Sequence, residues 1–163
     1  MIFVKTLLFT ILVPGTVIVW IPVFVIARDR SLDLSSAGLR LLGILPIALG
    51  TAAYLLCAWD FASTGRGTPF LLDPPRHMVS KRLYRLARNP MYVGAVLVLL
   101  GLAALFQSRA LLVYAFIVWL AFHLFVVLYE EPHLEKIFGA TYQEYRKAVP
   151  RWFPRLGSRR VAA

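Results

Sequence analysis

The residues of this sequence that could do chemistry lie at the ends of long apolar runs. Glu130 and Glu131 directly follow one run, and their carboxylates could accept hydrogen bonds from an ammonium group or take up a proton. His123 lies seven residues before Glu130, about two helical turns, and an ionisable side chain within an apolar run is a functional candidate. Two interpretations stay open for each group, because His123 could be a hydrogen-bonded structural histidine and the acidic pair a solvated helix end.

A second set of candidates lies between two apolar runs. Arg88 could hold a carboxylate through charge-assisted hydrogen bonds, and the rings of Tyr84 and Tyr92 could contact a cation. The same side chains could instead anchor the chain at a membrane surface, because arginine binds lipid phosphate and tyrosine is enriched at the interface. Near the end of the chain, Arg151 and Trp152 stand side by side in a proline-flanked turn, and we predict that they bind a substrate.

The elements that must position these residues are four apolar runs, at residues 6–27, 41–59, 91–107 and 110–129. The chain of 163 residues is 60% hydrophobic and 16% charged, which excludes an ordinary soluble globule and a disordered chain. At about 1.5 Å per helical residue, the first run covers the roughly 30 Å of bilayer hydrocarbon. The sequence therefore predicts an all-α integral membrane protein with four transmembrane helices in a single domain, residues 1–163.

Prolines and glycines within these runs predict local features. Pro14 and Pro22 predict kinks whose freed carbonyls a neighbouring helix must satisfy. Gly94 and Gly101 lie in the short third run, and they predict either little tilt or a tight hairpin with the fourth run.

The basic residues that give the net charge of +10 are unevenly distributed between the two sides of the predicted membrane. With four spans, 14 of the 18 basic residues share the side that holds both termini, and four lie on the other side. The positive-inside rule therefore places both termini in the cytoplasm, and we expect a multi-pass protein of the bacterial inner membrane. The basic residues then face anionic lipid, so the expected partner is the bilayer and not nucleic acid. Cys57 is the sole cysteine, so we expect no disulfide and no metal site.

Two cytoplasmic segments, residues 60–90 and 130–163, remain for the functional site. The first contains a glycine-rich turn, residues 65–67, and a basic amphipathic stretch that ends at Asn89 and Pro90. The pattern of the second segment predicts an amphipathic C-terminal helix. Gly139 is expected to end its first part, and a capping box of Thr141 and Glu144 is expected to begin a further turn or two.

Several motifs of these segments occur together in a fixed order. Residues 88–94 read Arg-Asn-Pro-Met-Tyr-Val-Gly, Tyr84 precedes them, and the acidic pair, Tyr142, Tyr145 and Val149-Pro150-Arg151 follow. In these motifs the chain resembles the isoprenylcysteine carboxyl methyltransferase family. It is also similar to the phospholipid N-methyltransferases, and the resemblance covers roughly Phe61 to Pro154.

This resemblance implies an integral-membrane enzyme that transfers a methyl group from S-adenosylmethionine, leaving S-adenosylhomocysteine. The acceptor would be lipid-like or membrane-partitioned, methylated on a carboxylate oxygen or an amine nitrogen. The chemistry of the residues themselves makes Glu130, His123 and Arg88 the candidate catalytic residues. Carried over by position, the cofactor contacts would be Arg76, His77, Met78, Val79, Tyr84, Asn89, Pro90, Met91, Tyr92, Glu130 and Glu131.

The chain departs from the resembled families at three places. They usually have glycine where Arg82 stands and often proline at Leu83, so the turn around the cofactor is expected to differ. Residues 126–129 also lack the arginine that holds a carboxylate in the carboxyl methyltransferases, which disfavours a prenylcysteine acceptor. A membrane reductase that uses NADPH and a non-catalytic, lipid-binding subunit are the alternatives on the same scaffold.

Overall fold

The computed structural model describes residues 12, 14–29, 37–60, 63 and 81–154, and within these residues every regular element is helical. The elements are a π-helical turn (Thr16–Trp20), α1 (Ile21–Arg28), α2 (Ala37–Leu41), α3 (Ile44–Asp60), a 3-10 turn (Arg82–Arg85), α4 (Pro90–Phe106), α5 (Arg109–Phe125), a second π-helical turn (Val126–Glu130), α6 (Glu131–Phe138) and α7 (Ala140–Ala148). The expected all-helical class is confirmed for this part of the chain.

In the part of the chain that the structure describes, one continuous helix is long and apolar enough to cross a membrane. It runs from Arg109 to Phe138, 30 residues, and comprises α5, the second π-turn and α6. Three shorter apolar helices accompany it, Thr16–Arg28, Ile44–Asp60 and Pro90–Phe106. Large apolar side chains cover the outer face of α5, where Leu112, Phe116 and Ile117 are each more than half exposed. Such a face suits a lipid environment, while the count of four spans remains a prediction.

Helices α3 and α4 pack antiparallel through paired glycines. A Cβ atom at Gly43 would lie 2.4 Å from the Gly101 carbonyl oxygen, and one at Gly50 would lie 2.5 Å from the Gly94 oxygen. Glycine at these positions lets the two backbones touch, as small residues do between membrane helices. The glycines of the third apolar run therefore face α3. The predicted tight hairpin of this run with the fourth is confirmed, because only Gln107 and Ser108 separate α4 from α5, but the glycines do not form it.

The hairpin between α4 and α5 depends on other residues. Gln107 adopts a left-handed conformation with φ 51°, and the Ser108 hydroxyl caps α5 by accepting a hydrogen bond from the Leu111 N–H at 3.1 Å. The same hydroxyl contacts the Asp29 carboxylate, and Arg40 Nε donates to the Leu105 carbonyl at 3.0 Å. These contacts tie together the end of the bundle opposite to the acidic pair.

A neighbouring helix satisfies the carbonyl that Pro22 leaves free, as predicted. The Ile21 N–H bonds to the Thr16 carbonyl across the π-turn, and the next bond of this kind would need an N–H on Pro22, which has none. The carbonyl left over belongs to Val17, and it accepts a hydrogen bond from the Tyr114 hydroxyl at 2.9 Å. Helix α5 thus supplies the missing donor.

The second π-turn has the same relation to a proline. It ends at Glu130, the Glu131 N–H bonds to the Val126 carbonyl, and Pro132 follows. A π-turn inserts one residue into a helix and turns the residues after it relative to those before it. The acidic pair sits directly at this irregularity.

The C-terminal part folds as two short helices joined by Gly139. Gly139 has φ 52°, which ends α6 and precedes α7, and no side chain caps the start of α7. The predicted capping box is therefore wrong, because the helix already begins at Ala140 and Thr141 lies inside its first turn. Helix α7 is amphipathic as expected, with Tyr142 buried and its basic residues exposed.

Candidate active site

The site is built where the C-terminal segment crosses the start of α4. The Arg88 N–H donates to the Pro150 carbonyl at 2.9 Å. The Arg151 carbonyl accepts from both the backbone N–H and the side-chain Nδ2 of Asn89, each at 3.2 Å. Asn89 is buried, so its amide holds the C-terminal segment in register. Proline at position 90 begins α4 immediately after this crossing, where no intrahelical N–H is needed.

Glu131 lies at the centre of a buried ion cluster. Its Oε1 accepts from Arg88 Nη1 and from Arg151 Nε, both at 2.7 Å, and its Oε2 accepts from Arg151 Nη2 at 2.9 Å. The contact with Arg151 is a two-point fork, the geometry that arginine and carboxylate prefer. Hydrogen bonding to Glu131 and its negative charge raise the pKa of Arg151. Glu131 is thus compensated from two sides and joins three parts of the chain.

Glu130 has a different partner. Its Oε2 accepts a hydrogen bond from the Tyr92 hydroxyl at 2.8 Å, and the Tyr92 ring lies 4.7 Å from the ring of Phe122. No ion pair among the described residues involves Glu130. The Glu131 carboxylate is therefore compensated by positive charge, whereas the Glu130 carboxylate next to it in the chain has a neutral hydroxyl as its partner.

Tyr84 is embedded in the bundle beside the site. It packs with Tyr54, Cys57 and Met91 in a buried apolar cluster, and its carbonyl accepts from the Tyr145 hydroxyl at 2.6 Å. Burial raises the pKa of Tyr84, so the ring stays a neutral phenol. The structure therefore gives Tyr84 and Met91 a packing role at the site, and Tyr84 joins the 3-10 turn to α7.

His123 contacts the C-terminal segment from within α5. The Trp152 indole Nε1 donates to His123 Nδ1 at 3.2 Å, and the two ring centres are 5.9 Å apart. Trp119 lies on the helix one turn earlier, with its ring centre 5.7 Å from that of His123. The predicted substrate residues Arg151 and Trp152 are thus joined to Glu131 and His123 respectively.

Two buried nitrogen atoms at the site have no hydrogen-bond partner among the described residues. They are Arg88 Nε and His133 Nε2, and the His133 ring stacks on Tyr129 at 5.6 Å. A buried donor or acceptor without a partner is costly, and a ligand that bonds to it would offset this cost. Within the described residues no group of three or more His, Cys, Asp or Glu side chains could hold a metal ion.

The structure brings together the predicted residues of the second half of the chain. Arg88, Asn89, Pro90, Met91, Tyr92, His123, Glu130, Glu131, Arg151 and Trp152 lie around the crossing just described. The predicted cofactor contacts Arg76, His77, Met78 and Val79, and the glycine-rich turn at 65–67, lie outside the described residues.

One charged pair beside the site was not predicted from the sequence. Asp60 ends α3 in a buried position, and its Oδ1 lies 3.6 Å from Arg82 Nε. An acidic residue at the end of an apolar run is the signal that singled out Glu130, and it applies to Asp60 as well. Arg82 itself has φ 47°, the left-handed conformation that glycine adopts easily.

Comparisons with known proteins agree with the motifs. A family model described as phospholipid methyltransferase matches residues 39–141, more than half of the chain. Methanethiol S-methyltransferase 2 of Bradyrhizobium diazoefficiens is 37% identical over 48% of this chain and 29% of its own length. The cobalt-zinc-cadmium resistance protein CzcN of Cupriavidus metallidurans is 30% identical over 71% of this chain and 49% of its own.

A third relative is similar to the same extent. The nickel-cobalt-cadmium resistance protein NccN of Alcaligenes xylosoxydans xylosoxydans is 31% identical over 74% of this chain and 52% of its own length. The chain thus spans about half, or less, of the length of the curated relatives it matches. No solved structure matches the chain.

Proposed function

This chain belongs to the phospholipid methyltransferase family, and from that membership and the site geometry we propose that it is an integral-membrane methyltransferase using S-adenosylmethionine. The acceptor is a lipid-like or membrane-partitioned molecule. The relative named methanethiol S-methyltransferase supports methyl transfer, and it adds sulfur to the oxygen and nitrogen acceptors expected from the resemblance.

The observation that carries this proposal is the contrast between Glu130 and Glu131. Two arginines already compensate Glu131, whereas Glu130 meets a neutral hydroxyl at the π-turn that follows α5. A partly buried carboxylate in that position is complementary to a cationic group of a ligand. The α-amino group and the sulfonium of S-adenosylmethionine both carry positive charge.

The other polar groups fit the rest of this ligand. Arg88 Nε, which has no partner within the described part of the chain, can donate to a carboxylate. His133 Nε2, likewise without a partner there, is a further polar contact. Tyr92 holds the Glu130 side chain in place, and its ring together with Phe122 offers aromatic surface beside it. Residues 76–79 belong to the proposed pocket on the basis of the family motif.

S-adenosylmethionine supplies an activated methyl group when bound, so the protein must align an acceptor with it and exclude water. The site lies where the apolar outer face of α5 ends, next to exposed Leu128 and Tyr129. We propose that the acceptor partitions into the bilayer and enters the site from there. With the predicted orientation, this end of the bundle faces the cytoplasm.

Ligand titration tests the cofactor. The purified protein in detergent is titrated calorimetrically with S-adenosylmethionine, S-adenosylhomocysteine and NADPH. We expect saturable binding of both adenosyl ligands and none of NADPH. Binding of NADPH alone would contradict the proposal and favour the reductase alternative. If a folded sample binds none of the three ligands, the non-catalytic membrane subunit is favoured instead.

A panel of acceptors with one common tail tests the reaction. Dodecanethiol, dodecanoate and dodecylamine are incorporated into phosphatidylcholine vesicles with the protein and a methyl-labelled cofactor. Label in one of the three lipids identifies sulfur, oxygen or nitrogen as the acceptor atom. Absence of label from all three and from a total lipid extract, with cofactor bound, contradicts transfer to a membrane-partitioned acceptor.

A further inference from the structure

The hydrogen bond between Trp152 and His123 determines where the histidine carries its proton. An indole N–H can donate but cannot accept a hydrogen bond, so the nitrogen it contacts must have a free lone pair. The contacted atom is His123 Nδ1, at 3.2 Å. In a neutral imidazole the proton then resides on Nε2.

From this geometry we propose that His123 presents an Nε2–H donor to the methyl acceptor and that Trp152 is the positioning residue that fixes this tautomer. This inference rests on the proposed function, and it gives His123 a role different from that of a general base. While Trp152 occupies Nδ1 and Nε2 holds the proton, the ring has no basic nitrogen available. His123 therefore orients an acceptor atom and removes no proton from it.

Trp152 is held in place by the residue before it. The Arg151 side chain forms the two-point contact with Glu131, at 2.7 Å and 2.9 Å. The Arg151 carbonyl accepts two hydrogen bonds from Asn89. Both the backbone and the side chain next to Trp152 are thus fixed, and the indole reaches His123 from a preorganised position.

A second aromatic ring lies beside His123. The Trp119 ring centre lies 5.7 Å away at an interplanar angle of 27°, and that of Trp152 lies 5.9 Å away at 32°. Two aromatic neighbours restrict rotation of the imidazole. Its Nε2–H therefore points in a defined direction, as a group that orients a substrate requires.

A hydrogen-bond donor at this place selects the chemical class of the acceptor. A thiolate or a carboxylate has lone pairs that accept from Nε2–H, whereas an alkylammonium ion has only hydrogens to offer. The nucleophile's lone pair forms the bond to the methyl carbon as the carbon–sulfur bond breaks and its electron pair stays on sulfur. An anion and a sulfonium cation thereby give two uncharged centres. A carboxylate is already ionised at neutral pH and needs no base, whereas a thiol first releases its proton to water to form the thiolate. We therefore infer an anionic acceptor over an amine.

The tautomer can be observed directly by NMR. The protein is labelled with ¹⁵N-histidine, purified in detergent micelles, and the ring nitrogens are correlated with the ring protons; His123→Gln assigns the signal among three histidines. We expect a protonated Nε2 and an unprotonated Nδ1 for His123. A protonated Nδ1, or both nitrogens protonated at neutral pH, overturns the inference. This measurement needs no enzymatic activity, so it decides the tautomer even where the proposed function fails.

Two neighbouring variants test the role of Trp152. Trp152→Phe keeps an aromatic ring but removes the indole donor, and Phe153→Leu is the matched control, because Phe153 is 72% exposed. We expect His123 to populate both tautomers in the first variant and one in the second. A single unchanged tautomer in both variants overturns the assigned role, and binding of S-adenosylhomocysteine to both verifies that they are folded.

Two substitutions of His123 distinguish a donor from a base. A glutamine amide can place an N–H near the position of Nε2, whereas an asparagine amide reaches only the position of Nδ1; neither can act as a base. On dodecanethiol or dodecanoate we expect His123→Asn to be about tenfold slower than His123→Gln, the effect of one lost hydrogen bond to a charged group. Equal loss in both variants, or methylation of dodecylamine alone, contradicts the inference.

Discussion

Two adjacent carboxylates in this protein have separate roles because their surroundings differ. Glu131 is enclosed by Arg88 and Arg151 and connects α4, α6 and the C-terminal segment. Glu130 contacts the Tyr92 hydroxyl and has capacity left for a cationic ligand. The sequence does not indicate this difference in role, because the two residues are of the same type and adjacent in the chain.

Substitution of each carboxylate by its amide tests this division. We expect Glu130→Gln to weaken S-adenosylhomocysteine binding by about 1–3 kcal/mol, because the amide carries no charge for an ammonium group, with little change in stability. Glu131→Gln leaves two arginines uncompensated and should lower the free energy of unfolding by about 3 kcal/mol. Calorimetry and thermal unfolding in detergent measure the two effects.

Glu135→Gln is the control for both, because Glu135 lies on the same helix with a half-exposed side chain and contacts the surface residues Gln143 and Arg146. It should leave binding and stability near those of the wild type. Equal effects of the Glu130 and Glu131 variants on binding and on stability would show that the two residues share one role.

At the level of elements, two pairs of glycines determine how closely α3 and the residue before it approach α4. Gly43 faces Gly101 and Gly50 faces Gly94, one pair per two helical turns. This close approach places Tyr54 and Cys57 of α3 against Met91 at the start of α4. These three side chains form the buried surface that Tyr84 contacts.

Gly50→Ala tests this packing. The added methyl group would lie 2.5 Å from the Gly94 oxygen, so the backbones must separate. We expect a loss of about 1–3 kcal/mol in the free energy of unfolding. Gly38→Ala is the matched control, since nothing lies within 4 Å of its added Cβ and alanine favours the helix by up to about 1 kcal/mol. Equal stability of the two variants would mean that the helices do not touch at Gly50.

The 3-10 turn before α4 contains a strained residue, Arg82, with φ 47°. Replacement by glycine and by alanine removes the contact with Asp60 equally, so the difference between the two variants isolates the backbone. We expect Arg82→Gly to be more stable than Arg82→Ala by about 1 kcal/mol, because a Cβ atom is unfavourable in the left-handed region. Chemical unfolding in mild detergent compares them, and greater stability of the alanine variant would refute the left-handed conformation.

In the whole molecule, polar groups concentrate at the two ends of an apolar bundle. One end holds the contact between Ser108 and Asp29 and that between Arg40 and Leu105. The other end holds the acidic pair and its arginines, with the basic residues of α7 exposed nearby. The apolar surface between them includes Leu45 and Leu49 of α3, both more than half exposed. This arrangement is that of a protein whose middle lies in lipid.

Cysteine labelling tests the predicted orientation. Arg109→Cys at the hairpin and Lys147→Cys on α7, both exposed positions, are introduced with Cys57→Ser. In intact spheroplasts we expect a membrane-impermeant maleimide to label position 109 and to reach position 147 only after permeabilisation. The wild-type protein is the control, because Cys57 is fully buried. Labelling of both positions from outside contradicts the topology.

The sequence by itself determined the features that depend on local composition and order. The sequence indicates the apolar runs, the carbonyl freed at Pro22, the helix end at Gly139 and the acidic pair after the fourth run, because these follow from hydropathy and backbone chemistry. The ordered motif indicated the family. The predicted spans nevertheless differ from the helices at their ends. Residues 41–59 were expected as one span, whereas the structure has a break at Leu42 and Gly43 and α3 continues to Asp60.

Only the tertiary structure decided which side chains meet. Trp152 is 29 residues from His123, Arg88 is 43 residues from Glu131, and the glycines of α4 face α3 instead of α5. Such contacts depend on how helices rotate and approach each other, and a single π-turn at residues 126–130 changes that rotation for every residue after it. Local sequence patterns carry no information about this rotation, so the division of roles between Glu130 and Glu131 and the tautomer of His123 required the folded chain.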